Sequence, residues 1–117
     1  MGEIPWRKEK MIGWKQAYTT DLCNIVLVKL EIPEDAKVKH IERYGETKDF
    51  YRCDKAKVLS ITSIDGKHRV KRARSMKDTL FTYEVGKEVC AKKDPTYGRE
   101  FGIHFFTEKQ KAIDYIF

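Results

Sequence analysis

The clearest alternation of apolar and polar positions runs from Ile25 to Ile32. Val26, Val28, Leu30 and Ile32 fall on one side; opposite them, Ile25 and Leu27 give way to Lys29 and Glu31. This predicts a strand buried on both faces at its start and half-exposed later. Lys55 to Ser63, with Val58, Leu59 and Ile61, predicts a second strand. Asp65-Gly66 is a two-residue hairpin signal that sends Lys67 to Arg74 back as the return strand. Leu80 to Val85, a Gly86-Lys87 turn and Glu88 to Ala91 predict a shorter hairpin. Ile103, Phe105 and Phe106 make a β-branched and aromatic run too short for a helix. Thr107 then reads as an N-cap, with Gln110 reaching back as in a capping box. Ala112, Ile113 and Ile116 form the stripe of a helix of roughly ten residues, too short to persist alone, so it must dock.

The rest is less regular. Residues 1–12 read as a charged arm anchored only by Ile4, Trp6, Met11 and Ile12, and Gly13 to Tyr18 as a short extended segment. Thr19 to Asp21 is a turn by composition. After Pro33, two readings fit: a helix over 34–43 stopped by Gly45, or a turn followed by a strand over 37–42. Residues 45–52, 75–79 and 92–98 read as loops. Residues 13–117 thus predict a single α+β domain, a small, mostly antiparallel sheet with a C-terminal helix and room for one further short helix.

Composition narrows the partners. Charged residues make up 36% of the 117 and the net charge is +6. That balance attracts anionic partners through long-range fields and says nothing about fold. No apolar stretch approaches a membrane span, and the N-terminal residues lack the apolar core of a secretory signal, so an intracellular, cytoplasmic protein is expected. Cys23, Cys53 and Cys90 are odd in number and widely spaced, without a C-x-x-C pair. They read as buried, reduced thiols; no metal or other cofactor is expected.

The densest charge feature is Lys67-His68-Arg69-Val70-Lys71-Arg72-Ala73-Arg74. As a strand it would put Lys67, Arg69 and Lys71 on one side and His68, Arg72 and Arg74 on the other. Guanidinium forks match phosphate oxygens, so Arg69, Lys71, Arg72 and Arg74 are candidate anion contacts; the plain alternative is an edge strand whose charges prevent sheet-to-sheet pairing. Trp6, Trp14, Tyr18, Tyr44 and Tyr51 are either stacking platforms or partly buried core. His104, set between Ile103 and Phe105, is a candidate ligand contact beside the helix. No G-x-S-x-G, Gly-rich phosphate loop or H-E-x-x-H occurs.

Several motifs together resemble one pattern: Gly13-Trp14-Lys15, the run Val28 to Lys37, Arg52 to Leu59, Tyr83-Glu84-Val85-Gly86-Lys87 and Gly102 to Phe106. The pattern is similar to an uncharacterised domain family of bacteriophages and giant viruses, sometimes attached to pentapeptide repeats. The resemblance implies a viral or prophage source and a small intracellular domain, and it brings no activity. A shorter likeness links Gly102-Ile103-His104-Phe105 and Tyr115 to the strand–helix segment of ADP-ribosyltransferases of the polymerase type. It implies that His104 stands where those enzymes carry a tyrosine, and Tyr115 where another tyrosine stacks on nicotinamide. Ala112 replaces the serine that would hold the amide, no His-Gly motif precedes, and the chain ends at Phe117, before the usual place of the catalytic glutamate.

The expectation is therefore a small, basic, non-catalytic binding domain. Its partner would be a nucleotide-like ligand, a nucleic acid or an acidic host protein, met in a host cytoplasm, with the effect of antagonising a host system. His104, Tyr115, Arg69, Lys71, Arg72 and Arg74 would be the contacts. The alternatives are a minimal ADP-ribosyltransferase-like enzyme acting on a nicotinamide nucleotide, and a plain DNA or RNA binder.

Overall fold

In the computed structural model, which describes residues 10–43, 46–76, 81–91 and 102–115, nine strands form one sheet and a short helix follows. The strands are β1 (Met11–Tyr18), β2 (Ile25–Ile32), β3 (Val38–Arg43), β4 (Glu46–Cys53), β5 (Lys55–Ser63), β6 (Arg72–Arg74), β7 (Thr82–Glu84), β8 (Glu88–Cys90) and β9 (Ile103–Phe106), with helix α1 at Lys109–Asp114. Antiparallel pairing gives the order β3-β4-β9-β1-β2-β5-β8, with β6 joined to β1 and to β7. The expected α+β class, a mostly antiparallel sheet with a C-terminal helix, is the class observed.

β1 divides its outer edge between two neighbours. Trp14 pairs with Phe106 of β9, and Tyr18 pairs with Arg74 of β6. Residues 69–70 also bridge β5, through Thr62 with Arg69 and the Val70 N–H donated to the Ile61 carbonyl. Hydrogen-bonded neighbours therefore run β1, β2, β5, residues 69–70, β6 and back to β1. β3, β4 and β9 extend the sheet from the same central strand.

The ring encloses the core. Val26, Val28, Leu30 and Ile32 of β2, Val58 and Ile61 of β5, Ala17, Ala73 and Tyr83 are all buried there. Burial raises the Tyr83 phenol far above its ordinary value. The same inner face continues across the wing through Val38, Cys53, Ile103 and Phe105, with Tyr51 stacked on Phe105. Gly13 lies under the Phe105 ring; a Cβ there would stand 2.4 Å from Cδ2.

Of the two readings after Pro33, the turn followed by a strand is the one observed, as β3. Four other local expectations give way to tertiary pairing. Residues 46–53 form β4 where a loop was expected. A ladder on each side of β4, with β3 and β9, holds a strand that composition hides. The basic segment is not one return strand. After Val70 it leaves β5, whose edge is taken by β8, and re-forms as β6 against β1 and β7. The β5 turn is also longer than two residues, closed by the Ser63 N–H donated to the His68 carbonyl, with Gly66 at φ +77°.

β7 and β8 are likewise no hairpin. β7 pairs with β6 and β8 with β5, and the Gly86 N–H donates to the Val58 carbonyl as the chain crosses between them. The helix is six residues long and starts after Glu108, which makes no side-chain cap; Gln110 donates to Asp114 and not back to Thr107. Finally, Ile25 is exposed, since it lies beyond the last β2–β5 pair, Val26 with Ser63. Cys23 and Cys90 are exposed on a turn and on β8, and only Cys53 is buried.

Candidate functional site: the outer face around the helix

α1 sits on the outer face of the sheet, opposite the main core. Even-numbered residues of β1 point there because Ala17 points inward and strand side chains alternate. Ala112 is fully buried against Leu27 and Phe106, with Trp14, Ile113 and Tyr115 packed around them. A six-residue helix leaves most of its carbonyls without internal partners. Gln16, buried on β1, meets that need: its Nε2 lies 2.8–2.9 Å from the carbonyls of Ala112, Ile113 and Tyr115, so its two N–H groups serve three acceptors, one of them shared.

His104 and Tyr115 share this face. His104 stands two residues before Phe106 on β9, half-buried, and the Tyr115 ring lies 5.2 Å from that of Phe106. Three of the four basic candidates point the same way. Arg69 is opposite Thr62, whose ladder partner Leu27 packs under the helix. Arg72 and Arg74 flank the inward Ala73, and Arg74 is paired with Tyr18. Arg69, Lys71 and Arg72 are exposed and Arg74 is half-buried. The Arg72 Nε donates to Glu84 at 2.9 Å across the β6–β7 ladder. Lys71 lies at the crossing, its carbonyl taken by the Val85 N–H.

Two further cations were invisible in the sequence reading. Lys39, Arg52 and His104 are consecutive partners across β3, β4 and β9, one register row on the outer face. Neighbouring strands lie roughly 5 Å apart, so the row spans about 10 Å. Arg52 is only 3% exposed, and desolvation draws its guanidinium below the ordinary arginine value; a guanidinium stays a cation at neutral pH all the same. Groups that carry like charge are costly neighbours in a ladder. Arg52 could have been found only by reading 46–53 as a strand, since its place in the alternation of Tyr51 and Cys53 then sends it outward.

Of the aromatic candidates, Trp14, Tyr18 and Tyr51 are half-buried, while Trp6 and Tyr44 lie outside the described residues. Lys29 stands over the Trp14 ring on the outer face. Among the described residues no cluster of His, Cys, Asp or Glu is arranged to hold a metal ion, and no helix is long and apolar enough to cross a membrane.

Fold and face together define a small antiparallel β domain that carries a short helix on a cation-rich surface. The chain belongs to a family of unknown function, DUF5758, whose model matches residues 3–112. No curated protein and no solved structure matches it.

Proposed function

We infer that this chain is a non-catalytic binding domain for an anionic partner, with the outer face around α1 as its contact surface. One observation carries the reading. Cations lie on both sides of the helix, Arg69, Arg72 and Arg74 on one and Lys39 and Arg52 on the other with His104 next to Arg52, while on the same face Glu31 is ion-paired with Lys10 and Glu84 with Arg72 itself. A net charge of +6 adds long-range attraction to that local surplus. His104 and Tyr115 supply a hydrogen-bonding group and a ring beside the charges. A phage or giant-virus source, and interference with a host system in the host cytoplasm, belong to the same proposal and rest on the motif resemblance.

The test is retention on an immobilised polyanion, heparin, with a matched control. Reversing Arg69 and Arg72 to Glu should move elution to markedly lower salt. Reversing Lys37 and Lys87, both exposed and outside α1 and β6, changes net charge equally and should move it much less. Equal shifts would mean that charge acts only in bulk, and the reading would fail. Release of nicotinamide from a nicotinamide nucleotide, abolished in His104→Ala, would replace it with the transferase reading.

A further inference from the structure

We propose that the partner is an acidic protein, gripped by the tip of the β1–β2 hairpin; this rests on the anionic-partner reading and narrows it. Among the described residues the exposed large apolar side chains are Leu22 and Ile25, each 45% exposed, and Val85 at 38%. The first two sit at one hairpin tip. Ile25 is on the outer face, paired with Tyr18, which pairs in turn with Arg74.

The tip is closed by its own hydrogen bonds and displays its leucine at a cost. Leu22 has φ 63°, a left-handed conformation that disfavours a branched side chain and that glycine or asparagine would adopt more cheaply. Thr19 and Asn24 close the turn, and Asp21 is occupied within it, accepting from the Thr19 hydroxyl and the Cys23 N–H. The carboxylate nearest Leu22 therefore anchors the turn.

The basic segment reaches the same end of the molecule. Val26 pairs with Ser63, so the 64–67 turn lies beside the hairpin tip, and Arg69 follows opposite Thr62. β6 runs antiparallel to β1, which puts Arg72 on the tip side of Arg74. The result is an apolar centre of Leu22 and Ile25, with Tyr18 beside it and Arg69 and Arg72 as a cationic rim. Apolar centres with polar rims, rich in Tyr and Arg, are the anatomy of protein interfaces. Nucleic acid rewards cations and stacking rings, and offers little to two exposed aliphatic side chains. Charge complementarity then fixes the partner as a protein that surrounds an apolar contact with carboxylates.

The experiment places a photo-crosslinking amino acid at position 22, and separately at exposed position 37, at the opposite end of the β1–β2 pair, as a control, in the full chain within cells that express it. Crosslinked species are identified by peptide mass spectrometry, and the captured protein is then purified and titrated against the wild type. The expected result is one protein captured from position 22 only, through a segment that mixes apolar residues with Asp and Glu. Its dissociation constant should weaken by about tenfold or more in Ile25→Asp, and again in Arg69→Glu, at unchanged melting temperature. Nucleic acid captured from position 22 would overturn this inference and leave the anionic-partner reading standing. Capture no greater than from position 37, or a purified partner indifferent to Ile25→Asp, would also overturn it. Loss of polyanion retention specificity in the matched-control test would remove the underlying reading itself.

Discussion

On the inner face of the sheet, Val28, Leu30, Ile32, Val58 and Phe105 pack as a continuous apolar layer that runs through ring and wing alike. On the outer face, among the described residues, Leu27, Phe106 and Ala112 are the buried apolar ones, a small cluster under one short helix. The same strands supply both, since alternate residues point opposite ways. The inner face stabilises the fold by removing apolar area from water. The outer face holds its helix with a few contacts and one side-chain amide, and leaves cations around it. The lesson is a division of labour by parity: the positions that secure the sheet are separate from those that carry the cations, so either set can change with limited effect on the other.

The comparison breaks first if inner-face truncation proves mild. Leu30→Ala should cost about 2–5 kcal/mol in denaturant unfolding, because Leu30 is fully buried and its neighbours cannot all collapse into the space. Overpacking the same face should cost less: Gly13→Ala, which drives a methyl against the Phe105 ring, is expected to lose about 1–3 kcal/mol in the same assay.

On the outer face the expected effect is local. Gln16→Leu leaves three carbonyls at the end of α1 without their donor, at a cost of roughly 1–3 kcal/mol. Hydrogen exchange should rise over residues 109–114 well before it rises over β2; equal rises would join the two faces into one cooperative unit. Leu22→Asn should do the opposite of damage, raising stability by about 0.5–1 kcal/mol because asparagine tolerates the left-handed conformation.

The smallest effect concerns the turns. Asp21 and Asp65 are held below the ordinary aspartate value of 3.8, chiefly by the hydroxyls of Thr19 and Ser63 and then by the N–H groups of Cys23 and Lys67. A lowered folded-state value means that the stabilisation is present above 3.8 and is lost as the pH falls through the folded value. Amide shifts of Cys23 and Lys67 should therefore move together in acid below that pH, while those of β2 stay fixed.

β2, β5, the closing strand β9 and the docked C-terminal helix could be read directly from the chain. In each, a run of apolar residues satisfies its own local requirement, as with Val26, Val28, Leu30 and Ile32, and Pro33 or Gly66 marks where it stops. The candidates Arg69, Arg72 and Arg74 could be named from residue type, His104 from its place between Ile103 and Phe105, and Tyr115 only from the resemblance to ADP-ribosyltransferases. Their common face could not, because it depends on which strand lies beside which.

Tertiary structure decided the remainder. β4 exists because ladders on both sides satisfy the backbone of a segment whose composition suggests a loop. β6 turns from β5 to β1 because β8 holds the rest of that edge. Those two pairings place Arg52 beside His104 and bring Arg72 toward the hairpin tip, and both join residues far apart in sequence. Local alternation specifies which side chains can be buried; only the competition of strands for a limited number of edges settles which surface the charged ones share.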